Sequence, residues 1–183
     1  MKRKVTTILA LFLCAIITVT GICTDTAYAA EDTQIKVTYK KKSVTFTVDA
    51  DRNGVKEVKL KTLKNKWGKP VTDKNEYTET YVWEKGKSRI GYTIDLHQPQ
   101  FSNFSIYTQD KNLSVCGIKV GMKKSKVKKI LKTLGDVNEQ KASGGLANCL
   151  SVELVDQQHV YINCGFENGK VSDISCILYL REK

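Results

Sequence analysis

Histidine is scarce in this chain, with only His97 and His159 among 183 residues. Neither stands at a meaningful interval from a cysteine or serine, so the sequence offers no nucleophile triad. Both read as structural or exposed residues beside turns. No two cysteines stand two to four residues apart and neither histidine has finger spacing to one, which removes the common zinc patterns. A Gly-x-Ser-x-Gly elbow, a lysine-bearing phosphate loop and a dinucleotide fingerprint are also missing. The expectation is a noncatalytic protein without metal or cofactor.

A long apolar run occurs only once. Met1-Lys2-Arg3-Lys4 is followed by an uncharged stretch from Val5 to Cys23, and Ala27-Tyr28-Ala29 puts small side chains where signal peptidase needs them. Residues 1–29 therefore read as a signal peptide cut after Ala29 or Ala30, and the mature chain as secreted or associated with the cell envelope. A signal anchor is the competing reading of this run. Lipid anchoring is disfavoured because Leu13 precedes Cys14 and Ile22 precedes Cys23. The leader carries three basic residues against Asp25, so its removal lowers the net charge from +11 to +9. That excess favours a negatively charged partner: wall polymer, membrane lipid, nucleic acid or acidic protein. Export makes nucleic acid a poor target.

Acidic side chains are absent from residues 111–135, which hold eight lysines, while residues 36–74 hold twelve Lys or Arg against four acids. The segments 75–110 and 136–183 come out at −2 and −3. Basic stretches coincide with the expected helices and neutral to acidic ones with the expected strands, so the surface should be dipolar. Cys116, Cys149, Cys164 and Cys176 remain in the mature part. An even number in an exported chain reads as two disulfides with three possible pairings, of which Cys149 to Cys164 with Cys116 to Cys176 is expected.

Between Gly121 and Gly135, apolar residues at 127, 130, 131 and 134 make a helical stripe that Gly135 would end in the left-handed conformation. The same outline recurs 67 residues earlier, where Gly54, Val55, Leu60, Leu63, Trp67 and Gly68 match it and Pro70 forbids continuation. Strands are expected after each helix, at 77–84, 89–96 and 101–107, then at 150–155, 160–166 and 171–180, with turns at Lys85-Gly86, Gln98-Pro99, Gln157-Gln158 and Asn168-Gly169. Phe101 to Ile106 runs parallel in pattern to Val171 to Cys176, and the three-residue apolar spacing in both implies a bulge. Residues 34–48 alternate as an additional N-terminal hairpin. The fold class expected is α+β: two tandem helix-plus-antiparallel-sheet units, one spanning 30–110 with the hairpin and the other 111–183.

A two-residue turn at Lys85-Gly86 would put Trp83 opposite Ser88, Tyr81 opposite Ile90 and Tyr77 opposite Ile94. These aromatic residues and Tyr92 read as core under the helix. The other side, with Thr78, Thr80, Val82, Arg89 and Thr93, is left for solvent or a partner. Asp49 to Gly54 imitates the first half of an EF-hand loop, but Leu60 stands where the bidentate Glu is required, so a plain turn between strand and helix is the simpler reading.

The step Gly121-Met122 into a short helix, Gly135 after its last apolar residue, and the closing Gly169-Lys170-Val171-Ser172-Asp173-Ile174 together resemble two families. One is the beta-lactamase inhibitor protein family, with tandem units; the other is the SmpA/OmlA type of small outer-membrane assembly lipoprotein, with one. The resemblance covers 117–178 and, more faintly, 54–107. It implies two sheets side by side that grip a protein partner through the Thr-rich side and the tips near Lys85-Gly86 and Gln157-Gln158. Glu84-Lys85-Gly86-Lys87 lacks the Asp-Tyr pair of the inhibitory hairpin, and Lys123 replaces the usual capping Thr, so inhibition of a beta-lactamase does not carry over.

The function expected is secreted, noncatalytic recognition of an extracellular or envelope protein through Thr78, Thr80, Val82, Lys85, Arg89, Thr93, Gln157 and Gln158. The alternative is binding of anionic wall polymer or a membrane surface through Lys123, Lys124, Lys128 and Lys129, which would be held by charge and be sensitive to salt. Lys40-Lys41-Lys42 is a second basic candidate.

Overall fold

The structure, a computed structural model, describes residues 33–49, 54–56, 58–141, 148–154 and 160–181. The hairpin expected near the N-terminus forms as β1 (Thr33–Tyr39) and β2 (Lys42–Asp49), joined in register from Thr33 opposite Val48 to Tyr39 opposite Lys42. Its alternation puts Ile35, Val37, Val44, Phe46 and Val48 inside. A short β3 (Gly54–Lys56) pairs with β2 through Asp49 opposite Gly54, so Gly54 and Val55 belong to a strand and not to a helix.

The first helix, α1 (Leu60–Trp67), is only eight residues long. Leu63 and Trp67 are its buried positions. Gly68 ends it at φ +87°, a conformation a side chain would strain, and donates its N–H to the carbonyl of Lys64 at 2.8 Å. There follow β4 (Val71–Lys74), β5 (Thr78–Glu84), β6 (Ser88–Asp95) and β7 (Asn103–Thr108), then the short β8 (Leu113–Val115) and β9 (Ile118–Lys119). The second helix, α2 (Lys124–Leu131), buries Val127 and Leu131. Gly135 is not left-handed as expected; it sits where a Cβ would come within 3.2 Å of Leu154 Cδ2 and 3.3 Å of Val152 Cγ2, so it serves a close approach to the sheet. The chain continues through β10 (Val137–Gln140), β11 (Asn148–Leu154), β12 (Val160–Glu167) and the twelve-residue β13 (Lys170–Arg181).

The expected α+β class of two helix-plus-sheet units is corrected. The described residues are 59% strand against 15% helix, and their thirteen strands form one mixed sheet. The cause is strand pairing that local pattern does not encode. β13 pairs antiparallel with β12 on one side and β7 on the other, and its last residues run parallel to β3 through Leu180 opposite Val55. The result is an eight-strand antiparallel run, β4-β5-β6-β7-β13-β12-β11-β10, continuous with a branch β3-β2-β1-β8-β9. The order of a helix followed by four strands does occur twice, at 60–108 and 124–181, but within this single sheet. The hairpin is likewise no appendage, since β1 pairs with β8 while β2 pairs with β3.

One core serves the described residues. Phe46 of β2 meets Phe104 of β7 with ring centroids 4.3 Å apart, and Trp67 of α1 lies 5.8 Å from Phe104 and 6.0 Å from Trp83 of β5. Trp83, Phe46 and Phe104 are among the largest fully buried side chains. The branch and both helices thus lie against the same side of the eight-strand run. Its other side is the part of the fold available for contact.

Candidate interaction surface

The register of the eight-strand run separates two faces. Tyr81, Trp83, Ile90, Tyr92, Phe104, Ile106, Cys176, Ile162, Leu150 and Val152 occupy one phase of the pleat and are buried. The alternate phase forms cross-strand rows on the open face. One runs Val71, Val82, Gly91, Ser105, Ile177, Tyr161, Glu153. Beside it runs Glu84, Arg89, Tyr107, Ser175, Asn163, Ser151, Asn138, and on the other flank Asp73, Thr80, Thr93, Asn103, Tyr179. Sheet pleating therefore gathers residues from distant parts of the chain into one plane.

Apolar side chains stand exposed on this plane. Val71 is 70% accessible, Tyr107 47%, Tyr161 38% and Ile177 37%, all in the two adjoining rows. Gly91 keeps a low point between them: a Cβ there would come within 2.7 Å of Ser105 Oγ. Asp73, Glu84, Asp95, Glu153 and Asp173 share the face with Arg89, which lies 3.8 Å from Glu84. The lysines of α1 and α2 belong to the opposite side, so the face is acidic on a basic protein.

Thr78, Thr80, Val82, Arg89 and Thr93 all lie on this face. The hydroxyls of Thr80 and Thr93 are 3.4 Å apart across β5 and β6. Lys85 is separate: it borders a cavity with the β1–β2 turn. Gln157, Gln158 and His159 lie outside the described residues. Tyr77, expected in the core, is exposed and stacks obliquely on His97 at 5.5 Å, while His97 Nε2 contacts the Glu76 carbonyl at 3.1 Å. No protein-family model, curated protein or solved structure matches this chain.

The α2 lysines divide. Lys124 Nζ lies 3.0 Å and Lys128 Nζ 2.6 Å from the Glu139 carboxylate, and Lys124 also donates to Asn148 Oδ1 at 2.7 Å. These hydrogen bonds, first that of Lys128 and then that of Lys124, hold the Glu139 carboxyl down at about 2. Lys123 and Lys129 are exposed. Half of the expected anion-binding set is thus engaged by an acid of the protein's own β10.

All four cysteines of the described chain are free thiols. Cys149 stands opposite Gly165, one residue from Cys164, so Cys149 and Cys164 point to opposite faces of the sheet and their expected pairing conflicts with the pleat. Cys116, Cys164 and Cys176 lie within electrostatic reach of one another, and burial is the main cause pushing the Cys164 thiol up to about 12. Among the described residues no cluster of His, Cys, Asp or Glu is arranged for a metal, and no helix is long and apolar enough to cross a membrane.

Proposed function

We propose that this is an exported, noncatalytic binding protein whose open sheet face recognises an extracellular or envelope protein. The observation that carries this reading is the exposure of Val71, Tyr107, Tyr161 and Ile177 in two adjoining rows of that face. Scattered exposed apolar residues need no partner, but apolar and aromatic residues gathered in one plane and bordered by polar ones have the composition of an interface centre with its rim. Tyrosine is suited to such a centre because it adds contact area with few rotatable bonds. The charge of the face selects the partner's chemistry. Five carboxylates on this face fit a protein that presents apolar side chains bordered by cationic ones.

Export rests on the leader at 1–29, and the threonines of β5 and β6 supply hydrogen-bonding positions at the rim. The test is site-specific photocrosslinking in the envelope and culture fluid of the producing cell. A benzophenone side chain at Tyr107 or Tyr161 should capture one defined protein, and Ile177→Asp should abolish the product. The same group at Lys129 should give none. Equal products from Lys129, or a product that is only a second copy of this chain, would overturn the reading.

A further inference from the structure

A cavity of about 470 Å³ lies at a junction of three chain segments. The β1–β2 turn brings Lys40, Lys41 and Lys42, the end of α1 brings Lys66, and the β5–β6 turn brings Lys85. No acidic side chain lines it, and none of the five ammonium groups has a carboxylate partner among the described residues. The remaining walls are Tyr39 and Trp67. Its volume falls within the roughly 300–1,000 Å³ typical of small-ligand sites.

Tertiary folding sets this cluster apart from a solvated lysine face. Lysines on a face point away from one another, whereas these five are brought from three separate segments to one cavity without a carboxylate partner, which costs stability unless an anion joins them. At the tip, Lys40 is held in the left-handed region at φ +54°, an unfavourable conformation for a lysine, with its N–H anchored on the Asn112 carbonyl at 2.8 Å.

We propose that this cavity is a binding site for a phosphate-bearing anion. Its oxygens are met by the lysine ammonium groups, and the apolar part of the ligand rests on Tyr39 and the exposed edge of Trp67. Five cations exceed what a single carboxylate would neutralise, so the chemistry fits a multiply charged phosphate. Lysines bind such a group as compact point charges. The site is separate from the open sheet face and does not depend on it.

Inorganic tripolyphosphate, titrated into the mature protein at moderate salt with calorimetry and tryptophan fluorescence as readouts, tests this directly. Saturable binding at one site is expected. It should weaken about tenfold or more in Lys66→Gln and in Lys41→Gln. Both substitutions alter exposed side chains and leave the fold in place. Lys129→Gln should bind like wild type. Vesicles of phosphatidylcholine with one-fifth phosphatidic acid, whose headgroup is a phosphomonoester, form the second arm. Binding to them alone, lost in the same variants, assigns the phosphate to a lipid headgroup; binding of tripolyphosphate assigns it to a soluble source. Binding of neither probe, or binding that Lys129→Gln weakens as much as Lys66→Gln, overturns the proposal.

Discussion

The two faces of the eight-strand run are built from alternate residues of the same strands, yet one holds the fold together and the other does not. On β7, Phe104 and Ile106 are buried while Tyr107 projects; on β13, Cys176 and Leu178 are buried while Ile177 projects. Hydrophobicity alone therefore does not assign a residue to the core. Phase in the pleat does, and apolar residues in the exposed phase mark the surface with no structural task.

The comparison breaks most visibly at Trp83. Trp83→Ala should cost about 3–5 kcal/mol in urea unfolding, whereas Tyr107→Ala on the opposite face should cost below about 1 kcal/mol while removing the crosslinked partner. Comparable losses from both would mean the open face is buried in the native protein. A smaller effect sharpens the same contrast at the low point of the open face. Gly91→Ala should cost about 1 kcal/mol because its Cβ meets Ser105 Oγ, and Ser105→Ala should restore most of it; a double-mutant cycle measures the coupling.

On the helix side, Glu139 titrates with a folded-state value of about 2, below its ordinary value near 4.5. A depressed carboxyl stabilises the fold above its unfolded value and loses that contribution as pH falls through the folded one. The melting-temperature gap between wild type and Glu139→Gln should thus be present at neutral pH and close between about 4.5 and about 2. A gap unchanged across that window would show that the lysine contacts do not bear on folding. The pair is solvent-exposed and its effect modest. Smallest of all, Thr80→Ala should change stability by no more than about 0.5 kcal/mol, with any consequence confined to partner binding.

Much of the strand pattern was legible in the sequence. The segments 77–84, 89–96, 160–166 and 171–180 are strands within two residues of expectation. The hairpin after Glu84 is displaced by two positions, with Trp83 opposite Ile90, and an even shift leaves every side chain on its expected face. That is why Thr78, Thr80, Val82, Arg89 and Thr93 were found correctly as one surface. The bulge foreseen near Val171 is present as the register change between Gly165 and Phe166, while Phe101 sits in a 3₁₀ turn. Asn168 and Gly169 take the two left-handed positions a tight hairpin requires.

What was not legible is what depends on partners remote in the chain. Nothing local tells that Val55 will lie against Leu180, or that Thr38 will lie opposite Ser114, so the single sheet was missed. Tyr107, Tyr161 and Ile177 were not among the expected contact residues, because the face was read only across the Thr78–Thr93 hairpin. The signal was there: each is out of phase with the buried neighbours of its own strand. Lys66 and Lys85 meet the Lys40 turn only through tertiary folding, so no reading of charge runs could bring them together.

β13 is last in chain order among the described strands, yet its flanks are occupied by β7 and β12 and its end by β3. The two halves of the large sheet can be zipped together only after it emerges, and contacts of such long span are slow to form. Until then both neighbours keep unsatisfied edges. A nascent chain arranged this way postpones its own closure until nearly all of its described strands have been made.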